Sequence, residues 1–167
     1  SATAHAGVGI LVLGVTGVSA WKVEEIAVMR PGDVLPIAGY DVPFVEVGPS
    51  QGPNYSEVLG RFDVARDGAA IGRIESSKRV YTVQRMPTTE AGIMTFIIGD
   101  LYIALGVAGD AGQTVRIWYN PLVPFFWFGA FVMALGGFLS LTARRLRVGA
   151  PRKARPDKRP ADAAAAT

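Results

Sequence analysis

The chain holds 167 residues, half of them hydrophobic, with 17 Lys/Arg against 14 Asp/Glu and no cysteine. The missing cysteine excludes a disulfide framework and leaves any thiol chemistry to a partner. A positive mean hydropathy of +0.28 fits membrane spans joined to one modest water-facing domain.

The first element, Ala2 to Trp21, contains no Asp, Glu, Lys or Arg. It reaches the roughly 20 apolar residues that a helix needs to cross a bilayer core of about 30 Å. Gly7, Gly9, Gly14 and Gly17 permit close helix approach, either to a second span or to helices of another segment. The sequence opens at Ser1 with no basic flank, so a C-terminal piece of a longer polytopic protein is expected. The competing reading is a signal peptide cleaved after Val18-Ser19-Ala20, releasing a secreted β domain with a C-terminal anchor. The missing basic flank counts against it.

Between the apolar stretches lie residues 22–118, enough for one small core. Pro31-Gly32-Asp33 predicts a turn. Ile37 to Val47 reads as a strand pair, and Gly48 to Pro53 as a loop. The clearest signal is a hairpin: Val58, Gly60, Phe62 and Val64 alternate with Leu59, Arg61, Asp63 and Ala65, Asp67-Gly68 makes the turn, and Ile71 to Ile74 returns. Val80, Thr82 and Gln84 suggest a further strand stopped near Pro87. Residues 88–98 admit a short helix, which the pattern does not decide. Leu101 to Leu105 and Thr114 to Tyr119 predict two more strands. Together these argue for a small antiparallel β domain, a sandwich or partial barrel.

Pro121 to Ala143 is the second uncharged stretch. Phe125, Phe126, Trp127 and Phe128 suit an interfacial belt, and Gly129, Gly136 and Gly137 suit close helix packing. Charge is unevenly placed. Residues 22–118 carry nine Lys/Arg and twelve Asp/Glu, whereas the segment after Ala143 carries eight Lys/Arg and two Asp. Short basic segments beside a span stay inside, so the tail from Arg144 is expected in the cytoplasm and the β domain outside, in a periplasm-like compartment. Arg144, Arg145 and Arg147 sit against the span, where they fix topology and meet anionic headgroups. They do not call for nucleic acid. Pro151 to Thr167 is rich in Pro, Ala and charge and is expected to be disordered.

His5 is the single histidine. It lies near the inner end of the first span, where an ionisable group needs a partner. It suits a neutral hydrogen-bonded imidazole, a proton-relay element or an axial ligand of haem iron. A bis-imidazole haem needs a second histidine from elsewhere. Glu90 and Asp100, ten residues apart, read as capping or ion-pairing groups rather than a catalytic pair. Lys78-Arg79 before Tyr81 could receive an acidic group such as a haem propionate, or could be a solvated strand end. No zinc-protease, dithiol or phosphate-loop motif occurs.

Several ordered strings carry a resemblance. They are Gly52-Pro53-Asn54-Tyr55, Lys78-Arg79-Val80-Tyr81, Thr88-Thr89-Glu90-Ala91, Asp100-Leu101-Tyr102-Ile103-Ala104-Leu105-Gly106 and Val115-Arg116-Ile117-Trp118-Tyr119-Asn120-Pro121, followed by Met133-Ala134-Leu135-Gly136-Gly137. From Ala4-His5-Ala6-Gly7 to Arg144-Arg145, the chain resembles the C-terminal region of CcmF, the haem lyase component of bacterial cytochrome c maturation. The resemblance implies an inner-membrane protein. Such a protein receives haem from a haem chaperone and promotes its attachment to apocytochrome c, working with thiol-reducing and other cytochrome c maturation subunits. It also implies a haem b between transmembrane histidines, and His5 matches one of them as iron ligand. The family's tryptophan-rich segment, the histidines flanking it and the other transmembrane histidine have no match in these residues. The chain alone is therefore not expected to complete the reaction.

The expected organisation is a transmembrane helix over 1–21, a periplasmic β domain over 22–118, a transmembrane helix over 119–143 and a basic cytoplasmic tail over 144–167. The alternative function is a non-catalytic, membrane-anchored docking module of the cytochrome c maturation complex.

Overall fold

The computed structural model describes residues 2–83 and 85–148. Helix α1, Ala2–Trp21, and helix α2, Val123–Val148, enclose nine strands. These are β1 (Val23–Met29), β2 (Val34–Ile37), β3 (Tyr40–Gln51), β4 (Tyr55–Arg66), β5 (Ala69–Tyr81), β6 (Pro87–Glu90), β7 (Gly92–Phe96), β8 (Gly99–Gly109) and β9 (Gly112–Pro121). All pairings are antiparallel. One sheet has four strands in the order β1-β9-β8-β7, and the other has five in the order β2-β3-β4-β5-β6. The basic tail beyond residue 148, and the disorder expected of it, lie outside the described residues.

Turn chemistry sets the hairpins. Asp67 and Gly68 both have positive φ, 52° and 78°, the conformation a two-residue hairpin requires. Ala38-Gly39 joins β2 to β3 in the same way, with φ of 50° and 81°. At Pro31-Gly32, Asp33 N–H donates to the Arg30 carbonyl at 2.9 Å and closes the turn.

Alternation then builds the core. Gly60, Phe62 and Val64 of β4 point inward, opposite Leu101, Ile103 and Leu105 of β8 and Val115 and Ile117 of β9. Phe44 stacks on Phe62 with centroids 4.7 Å apart. The bare Cα of Gly60 leaves room for Leu105 of the facing sheet, whose Cδ1 would lie 3.0 Å from any added Cβ. Ser76, 1 % exposed, ties the sheets together: its hydroxyl donates to the Glu90 carbonyl and accepts from Leu105 N–H, both at 2.9 Å. A buried hydroxyl is tolerated there because both of its roles are filled.

Two local expectations change and one open question is answered. Residues 88–98 form no helix; they supply β6, β7 and the turn after it, because Thr88-Thr89 pairs with Arg79-Lys78 and Ile93 to Phe96 pairs with β8. Gly48 to Gln51 is strand rather than loop, because Ser56 to Leu59 pairs with it. The strand expected through Val80 and Thr82 ends at Tyr81, where Arg85 N–H turns back to the Tyr81 carbonyl at 2.9 Å, while Gln84 lies outside the described residues.

The helices pair antiparallel through small residues. Gly7, Gly14 and Gly17 are the buried positions of α1. An added Cβ on Gly7 would lie 2.6 Å from the Met133 nitrogen, and on Gly14 2.5 Å from the Phe126 nitrogen. Gly129 and Gly136 of α2 meet Leu11 and Ala4 in the same close manner. In lipid, where apolar surface gives little drive to associate, such backbone approach is what holds two helices together.

Candidate functional site

Three places hold side chains able to do chemistry or bind. The first is the face of α1 turned away from α2. Two helical positions separate His5 from Gly7, a rotation of about 200°, so His5 points away from α2. It is exposed. Gly9, one turn further along the same face, is open: an added Cβ there meets nothing within 4 Å. The face continues through Val12, 53 % exposed. An imidazole beside a missing side chain, on an apolar helix face, leaves room for a flat ligand.

The second place is the outer face of the five-stranded sheet. Arg61 pairs with Glu46 and, at 2.8 Å, with Glu75. Arg73 pairs with Asp63 at 2.6 Å. Arg79 donates to Glu57 at 2.6 Å, lies 3.9 Å from Glu90 and covers the Tyr55 ring at 4.4 Å. Burial alone would raise the Glu57 pKa, but hydrogen bonds from Arg79 and Ser77 outweigh it and hold the carboxyl below its ordinary range. Hydrogen bonding to Glu57 in turn raises Arg79.

The third is the outer face of the four-stranded sheet. Tyr102 meets Trp118 edge-on at 5.0 Å, with Lys22 and Arg116 over the indole at 5.6 and 5.4 Å. Tyr102, Arg116 and Trp118, with Ile26, Ala104 and Thr114, line an open groove of about 460 Å³. At the helix end of this face lies Asp100. Burial raises its pKa, a Thr95 hydrogen bond only partly offsets that, and its Oδ1 has no hydrogen-bond partner among the described residues. Burial also raises Tyr119, whose ring lies 5.8 Å from Tyr40.

The residues singled out in the sequence are thus dispersed. Glu90 and Asp100 stand in different sheets, and Glu90 is an ion-pairing group. Arg79 is engaged by Glu57 and Tyr55 rather than held open for an outside acid. Among the described residues no three His, Cys, Asp or Glu side chains gather as a metal site. The Tyr102–Trp118 groove was not foreseen. Its signal was the spacing of Tyr102 and Ala104 outside the buried Leu101, Ile103 and Leu105, with Arg116 and Trp118 likewise outside Val115 and Ile117.

Two membrane-length helices flanking an antiparallel sandwich define a membrane-anchored β domain. The model of the CcmF C-terminal beta-sandwich matches residues 20–121. The chain is 47 % identical over 156 residues to the cytochrome c-type biogenesis protein CycK of Rhizobium meliloti, covering 93 % of this chain and 23 % of that protein. It is 45 % identical over 160 residues to CycK of Bradyrhizobium diazoefficiens, covering 95 % and 24 %. The solved structure of a cytochrome c heme lyase CcmF superposes with a TM-score of 0.68 at 16 % identity, over 80 % of this chain and 23 % of that one. The chain belongs to the CcmF family of cytochrome c-type biogenesis proteins, and it spans about a quarter of the length of these relatives.

Proposed function

We propose that this chain is the membrane-anchored C-terminal part of a CcmF-like haem lyase. Such a lyase takes haem from a haem chaperone and assists its covalent attachment to apocytochrome c. In this reading His5 is one axial ligand of a haem b, and thiol-reducing and other maturation subunits are its partners. The sandwich faces the periplasm of an inner membrane, and the basic tail faces the cytoplasm.

The observation that carries the proposal is the pairing of an exposed His5 with the open Gly9 on the face of α1 turned away from α2. His5 is turned away from α2, and Gly9 one turn on offers no side chain. A macrocycle edge needs that clearance. The surrounding Ala2, Ala6 and Val12 are apolar and exposed, as a haem-facing wall must be. These residues fit one ligand and not two, because His5 is the single histidine. A bound haem b would supply one-electron chemistry at its iron. His5 would present a neutral ring nitrogen and fix its orientation, while Gly9 would let the plane approach the helix. The reacting thiols would belong to the apocytochrome, so the part of this chain is positioning.

The test is His5→Ala in the full-length protein. Loss of the haem b absorption from otherwise well-expressed protein is expected. An unchanged spectrum would remove His5 from the ligand set.

The groove on the four-stranded sheet favours a second reading, a docking module. Aromatic side chains with a neighbouring Arg are the residue types that anchor protein interfaces. Tyr102, Trp118 and Arg116 supply them on one open face.

A further inference from the structure

We propose that the tip of the β7–β8 hairpin, Ile97-Ile98, is embedded in the outer leaflet of the bilayer that α1 and α2 cross. The hairpin then acts as a third membrane contact of the sandwich.

Composition of the turn is the first argument. Among the described residues four two-residue turns join paired strands: Ala38-Gly39, Asp67-Gly68, Ile97-Ile98 and Asp110-Ala111. Three use Gly or Asp, the residues that favour tight turns and water. The fourth uses two β-branched apolar residues. Ile97 is 88 % exposed and Ile98 52 %. Such side chains gain nothing at a tip in water.

Position is the second argument. β7 runs toward the helices, and its last pair is Phe96 with Gly99. Gly99 in turn pairs with Pro121, the last residue of β9. The tip therefore projects one step beyond the sheet, to the level where the chain leaves β9 for α2. A hydrogen bond fixes it there: Leu122 N–H donates to the Ile98 carbonyl at 2.8 Å. Leu122 itself has φ of 61°, a conformation costly for a bulky residue unless its surroundings impose it. They do so from two sides, through that hydrogen bond and through Gly17 of α1, whose missing side chain leaves the room Leu122 fills. Trp21, 61 % exposed at the end of α1, and Trp127, 68 % exposed in the second turn of α2, place an aromatic belt on the same side. The exposed isoleucines thus sit at the level where α2 begins. Apolar groups seated about 5–10 Å into the headgroup and acyl boundary are stable there. Together with two helix attachments, a third contact sets the tilt of the sandwich over the membrane.

The test uses the absence of cysteine in these residues. In the full-length polypeptide, with any cysteine outside this segment replaced by serine, Ile97→Cys and Ile98→Cys are labelled with a nitroxide. Asp110→Cys is the control, about 35 Å away at the other end of β8 given the rise of a strand. The proteins are placed in nanodiscs of phosphatidylethanolamine and phosphatidylglycerol, and relaxation by oxygen and by a water-soluble nickel chelate is compared. At 97 and 98 oxygen should be the more effective by several-fold, and at 110 the nickel chelate. Nickel access at 97 equal to that at 110 would put the tip in water and overturn the proposal. Exclusion of both reagents at 97 would show a protein covering and overturn it equally.

Discussion

The two sheets share one core but present opposite outer faces. On the five-stranded sheet the outward positions of neighbouring strands carry facing charges: Arg61 opposite Glu75, Asp63 opposite Arg73, and Glu57 opposite Arg79. On the four-stranded sheet the corresponding positions hold Ile26, Tyr102, Ala104 and Trp118, with Glu24–Arg116 at 3.2 Å as the ion pair. The two faces treat their acids differently as well. Glu57 is met by a cation and a hydroxyl and is held ionised, whereas Asp100 is desolvated with one oxygen unpartnered. Water suffices to complete the first face. The second has the composition of an interface.

The largest effect expected from breaking this contrast is at Glu57. Its side chain is 7 % exposed, and Glu57→Gln removes the charge that Arg79 and Ser77 serve. A loss of about 2–3 kcal/mol is expected, since hydrogen bonds to charged groups and half-broken buried pairs carry costs of this order. The stabilisation from the lowered pKa is fully present above the ordinary value of 4.5 and is lost as pH falls through the folded pKa. Thermal melts between neutral and acidic pH check both statements: the wild type should lose its advantage over the variant on acidification.

A smaller effect, in function rather than folding, is expected at Trp118. Under the docking reading, Trp118→Ala should lower cytochrome c maturation about tenfold, as loss of an aromatic anchor does. Arg73→Ala on the opposite sheet, whose partner Asp63 is 40 % exposed, should leave maturation unchanged and barely affect stability, since exposed ion pairs contribute little. Equal maturation in the two variants would erase the functional difference between the faces.

The smallest effect is at Asp100, with the sign reversed. Because the folded-state pKa is raised above the unfolded value of 3.8, stability is greatest at low pH and declines as pH rises through the folded pKa. Asp100→Asn should therefore be slightly stabilising at neutral pH, by about 1 kcal/mol, and neutral in acid. A destabilised variant at pH 7 would show that the carboxylate has a partner that this account omits.

How legible this was depended on range. Asp67-Gly68 was readable because a hairpin of consecutive strands announces itself in two turn residues and the alternation around them. The apolar spans were readable from length alone. By contrast β1 carries Glu24, Ile26 and Val28 on one side and Val23, Glu25 and Ala27 on the other, so neither side reads as apolar. Its strand state comes from pairing with β9, some ninety residues away. The 88–98 segment stayed undecided for a related reason: a turn made of Ile97-Ile98 carries none of the usual punctuation. The position of His5 was visible, but its direction was not. That depended on Gly7, Gly14 and Gly17 being the face given to α2, which left Gly9 and His5 outside. The contrast between the outer faces was latent in the alternation of β4, β5, β8 and β9, and became readable once strand register was known.

The central claim is the ligand role of His5. The most direct measurement is the reduced-minus-oxidised difference spectrum of membranes carrying the full-length protein as wild type, as His5→Gly, and as His5→Gly supplied with imidazole. The expected result is a haem b band in the wild type, its loss in the variant and its return with imidazole. A band of full height in His5→Gly without imidazole would contradict the account.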